Sequence, residues 1–180
     1  LIVLLYLILG IPVLLIEWVI GKINRRARDY SSLRLVQAAF KLIMFATGVK
    51  LTVIGEENVP KDRAVLYVGN HRSYFDIVIG YQLVSYFDVV MTYARCPRLT
   101  GYIAKIEMLR YPLLRDWMKA LYCLFLDRDD IRAGLKTILQ GIEYIKNGIS
   151  ICIFPEGTRN RSDTMMPFKE GSMKMAEKTG

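Results

Sequence analysis

A single histidine occurs in the 180 residues, within Asn70-His71-Arg72-Ser73-Tyr74-Phe75-Asp76. A histidine with a carboxylate five positions on can form a general base: Asp76 accepts a hydrogen bond from one ring nitrogen and fixes the tautomer, leaving the other nitrogen free to take a proton. Five residues of regular helix turn through about 500°, so the two would not share a helix face. They meet only if His71 lies in the turn before a helix and Asp76 in its first turn. The flanks predict that placement, with Ala64 to Gly69 reading as a buried strand and the apolar run from Ile77 as a helix. A helix-capping or core histidine is the competing interpretation.

The chemistry narrows by what is absent. Cys96, Cys123 and Cys152 are isolated, and with one histidine they offer no zinc set, so they are expected to be free structural thiols in a reducing compartment. There is no G-x-S-x-G, and Ser73 lacks the elbow context of a nucleophile. Neither glycine-rich phosphate loop occurs. The hydroxyl that His71 would activate is therefore assigned to a substrate, and the reaction to a direct group transfer.

The elements that would position these groups alternate from residue 50 onward. Strands are predicted at 50–55, 64–69, 99–104, 121–126 and 149–154. Helices are predicted after Asp76, from Pro112 to Ala120, from Asp129 and Asp130 as caps through Ile145, and from Gly171 toward Lys178. Ile131, Leu135, Ile138, Leu139, Ile142 and Ile145 are expected on one apolar face, and Asn147-Gly148 ends that helix. This pattern is α/β, with a largely parallel central sheet flanked by helices. The strands' carboxyl ends would deliver His71, Asp76, Lys105, Arg128, Glu156 and Arg159 to the edge where open α/β sheets bind ligands. Arg128, Arg159, Arg161 and Lys169, with Lys105, suit a phosphate group; a solvated basic surface is the alternative, for Arg161 above all. Ser73-Tyr74-Phe75-Asp76 recurs as Ser85-Tyr86-Phe87-Asp88, a tandem duplication or a chance similarity; the second copy lacks the preceding Asn-His.

The first 48 residues differ in texture. Of the chain, 53% is apolar, and the excess lies at the front. Leu1 to Ile16 is uncharged, and with Trp18 to Ile20 the run reaches about 20 residues, long enough for a membrane anchor that spans or re-enters. Glu17 is its one charge. A secretory signal and a buried core helix are the competing interpretations; no basic segment precedes the run and no small-residue site closes it, which favours the anchor. Lys22, Arg25, Arg26 and Arg28 follow, a cluster that stays on the cytoplasmic side and meets anionic headgroups. The net charge is +8, yet the basic region abuts an apolar run and carries no nucleic-acid motif, so membrane phospholipids are expected as partners and nucleic acid is not. Ser31 and Ser32 are expected to cap an amphipathic helix over 31–48, with Arg34, Gln37 and Lys41 as a narrow polar stripe and Leu33, Val36, Phe40, Ile43 and Met44 on a wide apolar face. That face would lie in the bilayer interface or pack against the domain.

Asn70 to Asp76 resembles the N-H-x(4)-D block of the 1-acylglycerol-3-phosphate acyltransferases, and Phe154-Pro155-Glu156-Gly157-Thr158-Arg159 resembles their F-P-E-G-T-R block. Leu124-Phe125-Leu126-Asp127-Arg128 is similar to the intervening arginine block, and Phe168-Lys169-Glu170-Gly171 to the F-K-x-G segment that follows. The resemblance covers residues 50–180. It implies a glycerolipid acyltransferase fold at 49–180 behind anchoring helices at 1–48. It also implies His71 as base for a glycerol hydroxyl attacking an acyl thioester, with Asp76 orienting it. Arg128, Glu156, Gly157, Thr158 and Arg159 would then be substrate-binding, joined by Lys105 and Lys169. The acyl donor would be acyl-CoA or acyl carrier protein, the acceptor lysophosphatidic acid, the product phosphatidic acid, and no cofactor is implied. Acylation of glycerol 3-phosphate or another lysophospholipid is the nearest alternative, and an inactive membrane-binding scaffold the alternative of another class. Two departures stand out. Ala104-Lys105-Ile106-Glu107-Met108 replaces A-K-K-E-L, and the fourth block, a V-P-x-x-P-like strand, is expected to be missing with the C-terminal part of the domain.

Overall fold

The computed structural model describes residues 2–48, 56–70, 99–160, 162, 164–169 and 171–180. His71, Asp76, Arg161, Cys96, the predicted strand at 50–55 and both copies of the repeat lie outside the described residues.

Three helices open the chain: α1 (Ile2–Leu9), α2 (Ile11–Ile23) and α3 (Arg25–Thr47). The apolar run predicted as one segment is divided at Gly10, with Pro12 in the first turn of α2, where a missing amide proton costs nothing. Thirteen residues of α2 extend only about 20 Å, against a hydrocarbon core of about 30 Å. No helix among the described residues is long and apolar enough to cross a membrane. Asn24 takes an extended conformation between α2 and α3, and its side-chain oxygen accepts from Ala27 N at 3.0 Å, capping α3.

Helix α3 thus starts at Arg25, six residues before the expected cap. Ser31 and Ser32 are helical, and their hydroxyls donate to the buried Glu17 carboxylate at 2.6 and 2.8 Å. A charge among apolar residues needs hydrogen-bond donors more than a second helix terminus does, and the α2–α3 hairpin supplies them. Gln37 is also buried, so the polar stripe turns partly inward. Leu33 and Val36 pack toward the domain, while Leu42 and Phe45 face solvent. Arg25 Nε donates to the Tyr122 hydroxyl at 3.0 Å, that hydroxyl donates to Asp29 at 2.8 Å, and Arg28 pairs with Asp29. Two of the four cations expected to meet lipid therefore bind the domain. Burial raises the Tyr122 phenol pKa, and the Asp29 hydrogen bond adds to it.

The sheet consists of β1 (Leu66–Val68), β2 (Thr100–Lys105), β3 (Leu124–Leu126) and β4 (Ser150–Ile153), in the order β1-β4-β2-β3 and parallel throughout the described residues. Tyr67 registers with Cys152, Cys152 with Tyr102, and Ala104 with Phe125. On one face, α3 and α4 (Pro112–Ala120) bury Leu33, Val36, Trp117 and Leu121 against Tyr102 and Cys152. On the other, α5 (Ile131–Lys146) and α6 (Lys174–Thr179) bury Ile142 and Met175 against Leu124, Ile151 and Ile153. Asp130 caps α5, accepting from Arg132 N and Ala133 N at 2.8 and 3.1 Å. The predicted single apolar face of α5 divides: Ile138, Ile142 and Ile145 pack inward, whereas Ile131, Leu135 and Leu139 are exposed. Strand β3 starts later than predicted because Tyr122 has a φ of 60°. That turn brings its carbonyl so close to Gly101 that a Cβ there would lie 2.2 Å from the oxygen.

Candidate active site

Parallel strands send all four carboxyl ends to one edge, and the strand order decides which ends are neighbours. Strand β4 is inserted between β1 and β2, so the segment leaving β1 runs beside the segment leaving β4. Gly69 N donates to Ile153 O at 3.2 Å, which extends the ladder one residue past β1. One residue on, Asn70 Nδ2 donates to Glu156 Oε1 at 2.6 Å. Residues 86 positions apart in sequence are joined there, directly before His71.

The turn after β4 explains why Glu156 points inward. Gly157 N donates to Phe154 O at 2.9 Å, with Pro155 at the second position of a β-turn, where its fixed φ is favoured. Gly157 then has a φ of 73°, a left-handed conformation that only glycine takes without strain. Glu156 is completely buried. Its second oxygen accepts from Met166 N at 3.3 Å. Met166 belongs to a strap over 164–169 that is bound back to the turn by Lys169 N donating to Pro155 O at 2.8 Å. The Lys169 stem covers Gly157, where a Cβ would meet Lys169 Cγ at 3.1 Å. Asn160, also buried, holds the loop beyond Arg159: its oxygen accepts from Ser162 N and Oγ at 2.8 and 2.7 Å, and its amide donates to Thr164 O.

At the other half of the edge, β2 and β3 are neighbours, and their ends form a polar cleft of about 170 Å³ lined by Lys105, Ile106, Glu107, Leu126, Asp127, Arg128 and Asp129. Asp127 Oδ1 accepts from Asp129 N and Asp130 N at 3.0 and 3.3 Å, which folds the chain sharply after β3 and leaves Arg128 exposed beside Lys105.

The predicted site residues thus fall into two groups. Glu156, Gly157 and Lys169 are assembled around one turn, with Thr158 exposed and Arg159 half-buried just after it. Lys105 and Arg128 share the cleft. Glu156 exposes no surface to a substrate, unlike the six other predicted residues within the described chain. Sequence reasoning missed the Asn70 side chain, the Met166 amide and Asn160 as the groups that hold these turns. The first carried a signal, an amide beside the lone histidine; a backbone amide carries none.

Comparison with known proteins bears on the family and the fold. An acyltransferase family model matches residues 50–180. The 1-acyl-sn-glycerol-3-phosphate acyltransferase of Borreliella burgdorferi is 36% identical over 146 residues, 81% of this chain and 54% of the relative. A probable 1-acyl-sn-glycerol-3-phosphate acyltransferase of Mycoplasma pneumoniae is 34% identical over 183 residues, covering 96% of this chain and 65% of the relative. The crystal structure of the 1-acyl-sn-glycerophosphate (LPA) acyltransferase PlsC from Thermotoga maritima is similar with a TM-score of 0.78 at 26% identity, over 99% of this chain and 66% of that one. The chain spans between half and two thirds of the length of these relatives. A match over residues 50–180 and these identities show that the chain belongs to the acyltransferase family that includes the 1-acyl-sn-glycerol-3-phosphate acyltransferases.

Proposed function

We propose that the protein transfers an acyl group from a thioester, acyl-CoA or acyl carrier protein, to the free hydroxyl of 1-acylglycerol 3-phosphate, forming phosphatidic acid. The observation that carries this is the 2.6 Å bond between Asn70 and Glu156. It joins the block holding the lone histidine to the block holding Arg159 at one sheet edge, as a base and a phosphate site serving one substrate require. In this mechanism Asp76 orients His71, whose free ring nitrogen takes the acceptor hydroxyl proton as the oxygen attacks the thioester carbonyl. The tetrahedral intermediate collapses with loss of the thiolate, which takes the proton back from the imidazolium. A new ester and a free thiol result. The thioester supplies the activation, so the chemistry needs no cofactor. Arg128, Arg159, Lys105 and Lys169 are assigned to the acceptor phosphate, with Gly157 and Thr158 shaping the turn beside it.

A membrane acceptor suits the exposed surface of the first helices. Leu5, Ile8, Leu9, Leu15, Ile16, Trp18 and Val19 are each about half or more exposed, with Lys22 over the Trp18 ring. Apolar side chains in such number on one pair of helices, ending in cations, fit the interface of a phospholipid leaflet on the cytoplasmic side. The test is product analysis with the full protein in membranes, offering lysophosphatidic acid with acyl-CoA and acyl-carrier-protein donors. General-base catalysis contributes ~10²- to 10⁴-fold. His71→Ala should therefore lose at least about 100-fold in kcat; retention of near-normal turnover would remove the assignment. Competition with glycerol 3-phosphate and other lysophospholipids identifies the acceptor.

A further inference from the structure

We infer that Glu156 serves the reaction through Asn70, as a positioning residue for His71, the next residue in the chain, and does not bind the acceptor. This rests on the proposed role of His71 as the base. Three observations carry it. Glu156 is 0% exposed, so neither oxygen has surface to offer a substrate. Each oxygen already accepts a hydrogen bond, and the donors belong to two different segments, Asn70 Nδ2 at 2.6 Å and Met166 N at 3.3 Å. A carboxylate beside a phosphate would also repel it, whereas here it is enclosed, and the exposed Thr158 and half-buried Arg159 follow the turn.

The choice of acid over amide follows from the donors. Both neighbours present N–H groups, and a carboxylate accepts on both oxygens, whereas glutamine would set an NH₂ against one of them. Aspartate would fall short by one C–C bond, about 1.5 Å, enough to lose a 2.6 Å contact. Asn70 is peptide-bonded to His71, and consecutive Cα atoms are about 3.8 Å apart. Fixing the Asn70 side chain therefore anchors the base from one residue away. Shifts of about 1 Å in such supports cost about 10²-fold in rate.

Exchanging the two polarities tests this in the full protein. Asn70→Asp alone sets two carboxylates 2.6 Å apart and should lower kcat at least about 100-fold with the acceptor KM nearly unchanged. Glu156→Gln alone should cost about 10-fold, since Asn70 can turn its amide to accept. The double variant restores donor to acceptor at the same net charge. It should regain at least about 10-fold over Asn70→Asp, a coupling typical of groups in contact. The pH profile separates this from mere refolding. Two carboxylates so close share a proton, so the loss in Asn70→Asp should deepen as pH rises and that proton leaves, whereas the double variant, with one carboxylate and one amide, should show no such dependence. Additive losses, or an acceptor KM that rises about 10-fold in Glu156→Gln, would overturn the role. If Asn70→Asp does not accumulate as folded protein, Asn70→Ala with Glu156→Gln gives the same cycle, and the pair should then cost no more than Asn70→Ala alone. His71→Ala is measured alongside: an active variant removes the base assignment, while an inactive one with an additive cycle removes only the role of Glu156.

Discussion

Replacing Ser31 and Ser32 together by alanine should open the α2–α3 hairpin, because the buried Glu17 carboxylate then loses the two hydroxyls that donate to it at 2.6 and 2.8 Å. Hydrogen bonds to charged groups contribute about 1.5–3 kcal/mol each, so the double variant should lose about 4 kcal/mol. For a chain of this size that corresponds to a fall of about 8–16 °C in Tm. Glu17→Gln removes the charge but keeps the geometry. Its oxygen still accepts from one serine, and its NH₂ donates to the other, whose hydroxyl rotates to accept. That variant should cost under about 1.5 kcal/mol. Glu17→Leu combined with both alanines replaces the polar cluster by an apolar one and should lie near the wild type or above it, as buried polar groups replaced as a set often do. The assay is thermal unfolding in detergent micelles, followed by the fluorescence of Trp18 and Trp117. Trypsin cleavage at Lys22, Arg25 and Arg26 reports hairpin opening. Equal losses for Ser31→Ala/Ser32→Ala and Glu17→Gln, or a triple variant less stable than the double, would refute the reasoning.

Two further outcomes follow from the site and the core. Gly157→Ala meets both a φ of 73° and Lys169 Cγ at 3.1 Å; the strain is about 1–2 kcal/mol, and the acceptor KM should rise as the strap shifts, measured in the same assay as His71→Ala. Burial pushes the Cys123 thiol up to about 12 from its ordinary 9.0, only partly opposed by a backbone hydrogen bond to Tyr102. In a Cys96→Ser background, thiol reagents at pH 8 should react only after denaturation. The stability due to the protonated thiol is complete below pH 9 and is lost as pH rises toward 12, so urea midpoints should fall over that interval; rapid labelling of the folded protein would contradict it.

Much of this protein is legible in order along the chain. Local chemistry sets Asp130 as the cap of α5, Pro112 as the opening of α4 and Gly157 as the left-handed residue after Pro155-Glu156, because caps and turns depend on a few neighbouring residues. The apolar runs of β2 and β4, and the exclusion of a zinc set or a serine elbow, are likewise matters of type and spacing. Strand order is not. Only the packed sheet inserts β4 between β1 and β2, and only that insertion sets Asn70 against Glu156 and leaves Lys105 beside Arg128. Glu17 and Glu156 mark the same boundary. Sequence patterning places each near a membrane or a substrate, but burial is decided by what packs over a side chain. For Glu17 that is a pair of serines on the next helix, and for Glu156 the Asn70 amide just beyond β1 and a backbone N–H from the strap. A carboxylate's role depends on the donors it meets, and for both residues those donors come from segments that only the folded chain brings together.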